Sequence, residues 1–157
     1  MVTNLRELLS LHEGRIRTPY RDSLGYWTAG VGHLIDRRRG GSMPKSWTGF
    51  PLTEEEIDDV LDDDITEKSI DLFRALPWVM GLDEVRKAVL TDMAFNLGIA
   101  GLLQFKNTLA AVKEKRWQDA AQGMLASRWA DQVGVRSLRL ADMMRTGRWP
   151  DVFVGPF

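Results

Sequence analysis

Cysteine is absent from this chain of 157 residues, so no disulfide framework can hold it together. Histidine occurs twice, at positions 12 and 33, and no ligand-spaced cluster of His, Cys, Asp and Glu is present. That argues against a metal ion, and no sequence feature calls for another cofactor. No apolar run approaches the roughly 20 residues that span a bilayer. The first residues, Met1 to Glu7, lack the basic-then-apolar layout of a secretory leader. An excess of positive charge is missing too. The net charge of -1 disfavours a nucleic-acid partner, including a helical DNA-binding protein. Repeats and low-complexity segments are also absent.

The charges that are present are unevenly spread. Residues 1–53 carry a net +4, residues 54–100 a net -9 and residues 101–157 a net +4. Basic ends would suit an anionic polymer. The plainer reading, which charge alone favours, is one solvated acidic helix face. The length suits one domain, in which folding can bury about 70% of the unfolded surface.

The chain opens with a helical pattern. Asn4 and Glu7 have capping-box spacing, Leu5, Leu8 and Leu9 share a face, and Gly14 can end the helix. Glu13 then falls in the last turn, where the helix dipole disfavours an acid. A residue set against its local preference is a pointer to function. Between 15 and 36 lie strand formers, broken by the turn cluster Asp22-Ser23-Leu24-Gly25. Gly30 and Gly32 mark bends or close backbone approach. This predicts an antiparallel sheet of two or three strands, followed by a Gly- and Pro-containing loop over 37–52. Thr53 and Glu56 form a capping box for a long helix, which Pro77 stops. The segment from Val85 to Leu97 is apolar almost all round and predicts a central buried helix. Helices are expected near 107–114, 117–127 and 134–145. The fold class read from this pattern is α+β.

Two carboxyl groups in the first stretch, Glu13 and Asp22, are candidates for glycosidic chemistry. Such cleavage needs one carboxyl kept protonated as an acid and one kept ionised. Each residue also has a bland reading. A Glu before a helix-ending Gly is usually solvated, an Asp in a turn usually makes an Asx turn, and Thr28 is an ordinary strand residue.

The stretch His12-Glu13-Gly14, Tyr20-Arg21-Asp22 and Gly25 through Leu34 resembles the lysozymes of T-even-type phages, glycoside hydrolase family 24. The family's Glu-x8-Asp-x5-Thr triad is matched by Glu13, Asp22 and Thr28. Further blocks are similar in order and spacing: Met93-Ala94-Phe95-Asn96, Phe105-Lys106-Asn107-Thr108, Lys115-Arg116-Trp117, Ser127-Arg128-Trp129 and Arg145 through Trp149. The resemblance covers nearly the whole chain.

It implies a lysozyme-like fold in a single domain over 1–157. A sheet lobe of about 14–60 would be joined by a helix over about 53–76 to a helical lobe of about 77–157, which also takes in the first helix. The substrate groove would lie between the lobes. The activity implied is hydrolysis of the β-1,4 bond between N-acetylmuramic acid and N-acetylglucosamine in peptidoglycan, with inversion. Glu13 would be the acid, with Asp22 and Thr28 positioning water. Leu34, Phe95 and Thr108 would line the groove. Arg136 matches an arginine beside the catalytic Glu, and His33 would pair with Asp64 structurally. Trp117, Trp129 and Trp149 are expected to pack rather than bind sugar. Gly123 replaces an Asn that is frequent in the family, which removes one polar contact. The biological role implied is that of a monomeric endolysin, without stable membrane association. It would stay in the host cytoplasm until a holin-like pore admits it to the wall. Two rivals remain at this point: a lytic transglycosylase using Glu13 alone, and a silent wall-binding module on the same fold.

Overall fold

The computed structural model describes residues 1–35 and 51–152. Among them are seven α-helices and three strands: α1 (Leu5–Glu13), β1 (Ile16–Arg21), β2 (Trp27–Gly30), β3 (His33–Leu34), α2 (Glu54–Ala75), α3 (Glu84–Leu103), α4 (Lys106–Lys113), α5 (Trp117–Leu125), α6 (Arg128–Val133) and α7 (Val135–Thr146). A 3-10 turn, Pro77–Gly81, follows α2. The class is α+β, as the sequence predicts. Most of the loop expected over 37–52 lies outside the described residues.

The backbone contacts divide the chain into two compact units. Among the described residues, one holds 6–35 and 51–66, and the other holds 1–5 with 67–152. By these contacts α1 from Arg6 onward groups with the sheet.

In the sheet unit the strands run antiparallel in the order β1-β2-β3. Gly14 ends α1 at φ +77°, where only glycine sits without strain, and its N–H donates to Ser10 O at 2.9 Å. The β1–β2 turn is organised by Asp22, whose N–H donates to Tyr26 O at 2.8 Å. At the start of α2 the capping box is complete. Thr53 Oγ1 accepts from Glu56 N at 3.0 Å, and Glu56 Oε1 accepts from Thr53 N at 3.1 Å. Two orphan donors of the first turn are thereby satisfied. Leu8, Leu9, Ala29, Val31, Ile57 and Leu61 form a small buried apolar cluster in this unit.

The helical unit has the larger core, with Leu90, Met93, Leu102, Met124, Leu140, Met143 and Met144 fully buried. α3 starts at Asp83, which accepts from Arg86 N. It runs six residues past the predicted end at Leu97, broken at Gly98, whose φ is +73°. With Gly98 non-helical, two helical stretches meet at a kink there, and the first ends where the sequence places its end. α6 was not expected. Ser127 caps it, accepting from Ala130 N, and Gly134 at φ +55° separates it from α7.

Candidate active site

In the sheet unit, three elements carry the predicted acids and threonine. Glu13 is half-buried in the last turn of α1. The chain turns between β2 and β3 at Gly32, which has φ +64° and closes on Glu13. A Cβ at position 32 would sit 3.2 Å from Glu13 Oε2 and 3.4 Å from Glu13 Cβ. Glycine is needed there twice over, for its backbone angle and for the approach to the carboxyl group.

The chain immediately after Glu13 is held as well. Arg15 has a side chain only 6% exposed. Its guanidinium donates to Glu54 Oε2 at 2.7 and 2.9 Å, to the Glu54 carbonyl at 3.2 Å and to Asp58 Oδ1 at 2.8 Å. It also reaches Ser10 Oγ at 3.4 Å, one turn before Glu13. Residues on both sides of the acid are thus fastened to each other and to the start of α2. No motif pointed to Arg15, because its acidic partners lie 39 and 43 positions away in the chain.

Asp22 makes the Asx turn of the plain reading, but with one oxygen. Its Oδ1 accepts from Leu24 N at 2.9 Å and from Tyr26 N at 2.8 Å. Among the described residues no donor bonds Oδ2. Thr28 is buried at 3% exposure, and its hydroxyl donates to Tyr26 O at 3.1 Å. With its proton committed, the Thr28 oxygen can face a water only as an acceptor. A water that donates one proton to Thr28 Oγ1 and the other to Asp22 Oδ2 would have its lone pairs turned away from both.

The strand register sets Thr28 in a row. Tyr20 on β1 pairs with Thr28, and Thr28 pairs with Leu34 on β3. Directly paired residues share a face of a sheet. Leu34 ends that row at 42% exposure. Burial pushes the Tyr20 phenol above its ordinary pKa, and the charges of Glu13 and then Asp22 push it further the same way. His33 Nδ1 lies 2.7 Å from Asp64 Oδ2.

Phe95, Thr108 and Arg136 belong to the helical unit. Arg136 Nε donates at 3.0 Å to Asp92 Oδ1, a fully buried carboxylate. Phe95 is half-buried on α3. Thr108 lines a pocket of about 670 Å³ together with Phe105, Lys106, Asn107, Gly123 and Trp129. Trp129 is buried, donates from Nε1 to Asn96 Oδ1 at 2.6 Å and meets Phe105 edge-on. Trp117 and Trp149 are half-buried, and Trp117 carries the Arg86 guanidinium over its ring at 3.9 Å. Gly123 has a steric reason: a Cβ there would collide with Thr108 Oγ1. The loss of a polar side chain at 123 is thus tied to the threonine at 108. Among the described residues, no group of three or more acidic or histidine side chains could hold a metal ion.

The phage lysozyme family profile matches residues 10–143. "Probable T4-type lysozyme 1" of Dictyostelium discoideum is 30% identical, with 94% of this chain and 96% of that protein covered. The pre-baseplate central spike protein Gp5 of Enterobacteria phage T4 is 27% identical over 92% of this chain and 28% of its own length. "Peptidoglycan hydrolase gp36" of Pseudomonas phage phiKMV is 27% identical over 87% of this chain and 14% of its own. A match over most of the chain, reached twice over, by the family profile and by a relative covered along 96% of its own length, establishes that this protein belongs to the phage lysozyme family and is a glycosidase.

Proposed function

We propose that the protein is an endolysin that hydrolyses the β-1,4 bond between N-acetylmuramic acid and N-acetylglucosamine in bacterial peptidoglycan, with inversion at the anomeric carbon. The observation that carries this reading is the division of labour at Asp22 and Thr28. One Asp22 oxygen is fixed by two backbone N–H groups, and the Thr28 proton is spent on Tyr26 O. Together they leave two acceptors for one water.

In the proposed reaction Glu13 gives its proton to the O4 of the departing N-acetylglucosamine as the C1–O4 bond breaks. The water oxygen bonds to C1 from the opposite face. One of its protons passes to Asp22, and the other remains on the new C1 hydroxyl. The charge balance returns when Asp22 loses its proton to solvent and Glu13 regains one. Leu34, Phe95 and Thr108 are proposed to contact the glycan. Arg136 is proposed to act on the acid, and the His33–Asp64 pair to brace β3. In this role the enzyme acts as a monomer, stays in the host cytoplasm and reaches the wall through a holin-like pore.

Mass spectrometry of products from purified peptidoglycan tests the reading. Hydrolysis leaves reducing N-acetylmuramic acid ends. A transglycosylase, which needs neither Asp22 nor water, would leave anhydro ends lighter by one water. No release of fragments would leave only a wall-binding role.

A further inference from the structure

We propose that the cavity past Gly123 in the helical unit, walled by Arg116 and Asp119, is a subsite for the free ammonium of a diamino acid in the peptide stems of peptidoglycan. The inference rests on the reading of peptidoglycan as the substrate.

Two cavities that meet carry it. The larger, of about 670 Å³, is walled in part by the first turn of α4, Lys106 to Thr108, and by Arg128. The smaller, of about 320 Å³, has Arg116 and Asp119 in its wall. Asn107, Thr108 and Gly123 belong to both walls, so the two spaces join there. A side chain at position 123 would stand against Thr108 Oγ1, and glycine leaves the junction open. Thr108 is only 5% exposed, and among the described residues its hydroxyl has no hydrogen-bond partner. Its oxygen lies over Gly123, at the junction itself. A buried hydroxyl of this kind is costly unless water or a ligand answers it.

The two cavities differ in charge. No acidic residue lines the larger one. Lys106 and Arg128 have no carboxylate partner among the described residues. The side chain of Phe105 makes no capping bond to α4, so the positive end of the helix dipole is open there. This end suits a carboxylate. At the smaller cavity Arg116 is answered twice, by Asp119 Oδ2 at 2.8 Å and by Glu114 Oε2 at 2.7 Å. One negative charge is left over, which suits an ammonium. A ligand that fits both cavities carries a carboxylate and an amine, with amide groups between them for Asn107 and Thr108. A stem peptide with a diamino acid has that composition, whereas a glycan strand without stems has no ammonium.

The test uses the full chain on soluble, uncross-linked glycan strands whose stems carry a diamino acid with a free amine, before and after N-acetylation of that amine. Acetylation removes the positive charge and leaves the scissile bond alone. In the wild type, KM should rise roughly fivefold on acetylation with kcat unchanged. Asp119→Asn should show the raised KM on the untreated strands already, and acetylation should add nothing. Asp119→Glu should restore the difference. Asp119 is exposed, so replacing it costs the fold little. A wild-type KM that ignores acetylation overturns the proposal. So does an Asp119→Asn enzyme that responds to acetylation as the wild type does, because the amine is then read elsewhere. Failure of the wild type to cut either substrate overturns the peptidoglycan reading itself, and the subsite with it.

Discussion

The two units of this protein are held together by different forces. The sheet unit has a small apolar cluster and relies on charge. Arg15 grips Glu54 and Asp58, Arg6 reaches Asp62 at 2.6 Å, and His33 meets Asp64. The helical unit relies on a row of leucines and methionines with no exposure at all. The unit that carries the proposed acid and base is the one organised by polar contacts. A carboxyl pair needs fixed donors, close backbone and room for water, and an apolar core supplies none of these. Burying methionine and leucine in α3, α5 and α7 supplies stability instead.

That contrast can be broken by mutation. The largest effect should come from Glu13→Gln, which removes the acid but keeps its shape. Activity on peptidoglycan should drop roughly 100- to 10,000-fold while thermal melting stays near wild type. In the helical unit the balance should reverse. Leu140→Ala should cost about 2–5 kcal/mol of stability, read by denaturant unfolding, and leave the turnover of folded molecules unchanged. Arg15→Ala should do some of each. It strands Asp58 and Glu54 without their shared cation, for about 1–3 kcal/mol, and it loosens the chain after Glu13, so kcat should fall as well. If Arg15→Ala lowers stability alone, the clamp does not position the acid. The smallest effect expected is that of Gly32→Ala. Its backbone angle costs about 1–2 kcal/mol for a residue with a Cβ, and the methyl group would press on Glu13. A loss of activity larger than the loss of folded protein would mark the contact as functional.

Much of the fold was legible because local signals agreed. Thr53 and Glu56 read as a capping box and form one, and Gly14 ends α1. What escaped was short or distant. α6 has six residues, too few to show a period, and its only local sign is the capping Ser127. Gly98 does mark an end, and what escaped was the second helical stretch that follows it to Leu103. In the site, Glu13, Asp22 and Thr28 stood out through family spacing, and Gly32 through its residue type. Arg15 did not. An arginine is commonplace, and its meaning lies in Glu54 and Asp58, brought near by folding.

The central claim is that Asp22 and Thr28 hold a water that attacks the sugar directly. Proton NMR of the reducing ends formed in the first minutes of digestion tests it most directly. The account predicts that the α-anomer appears first from the β-linked substrate, before mutarotation mixes the two. First appearance of the β-anomer would contradict it and make Asp22 a covalent nucleophile.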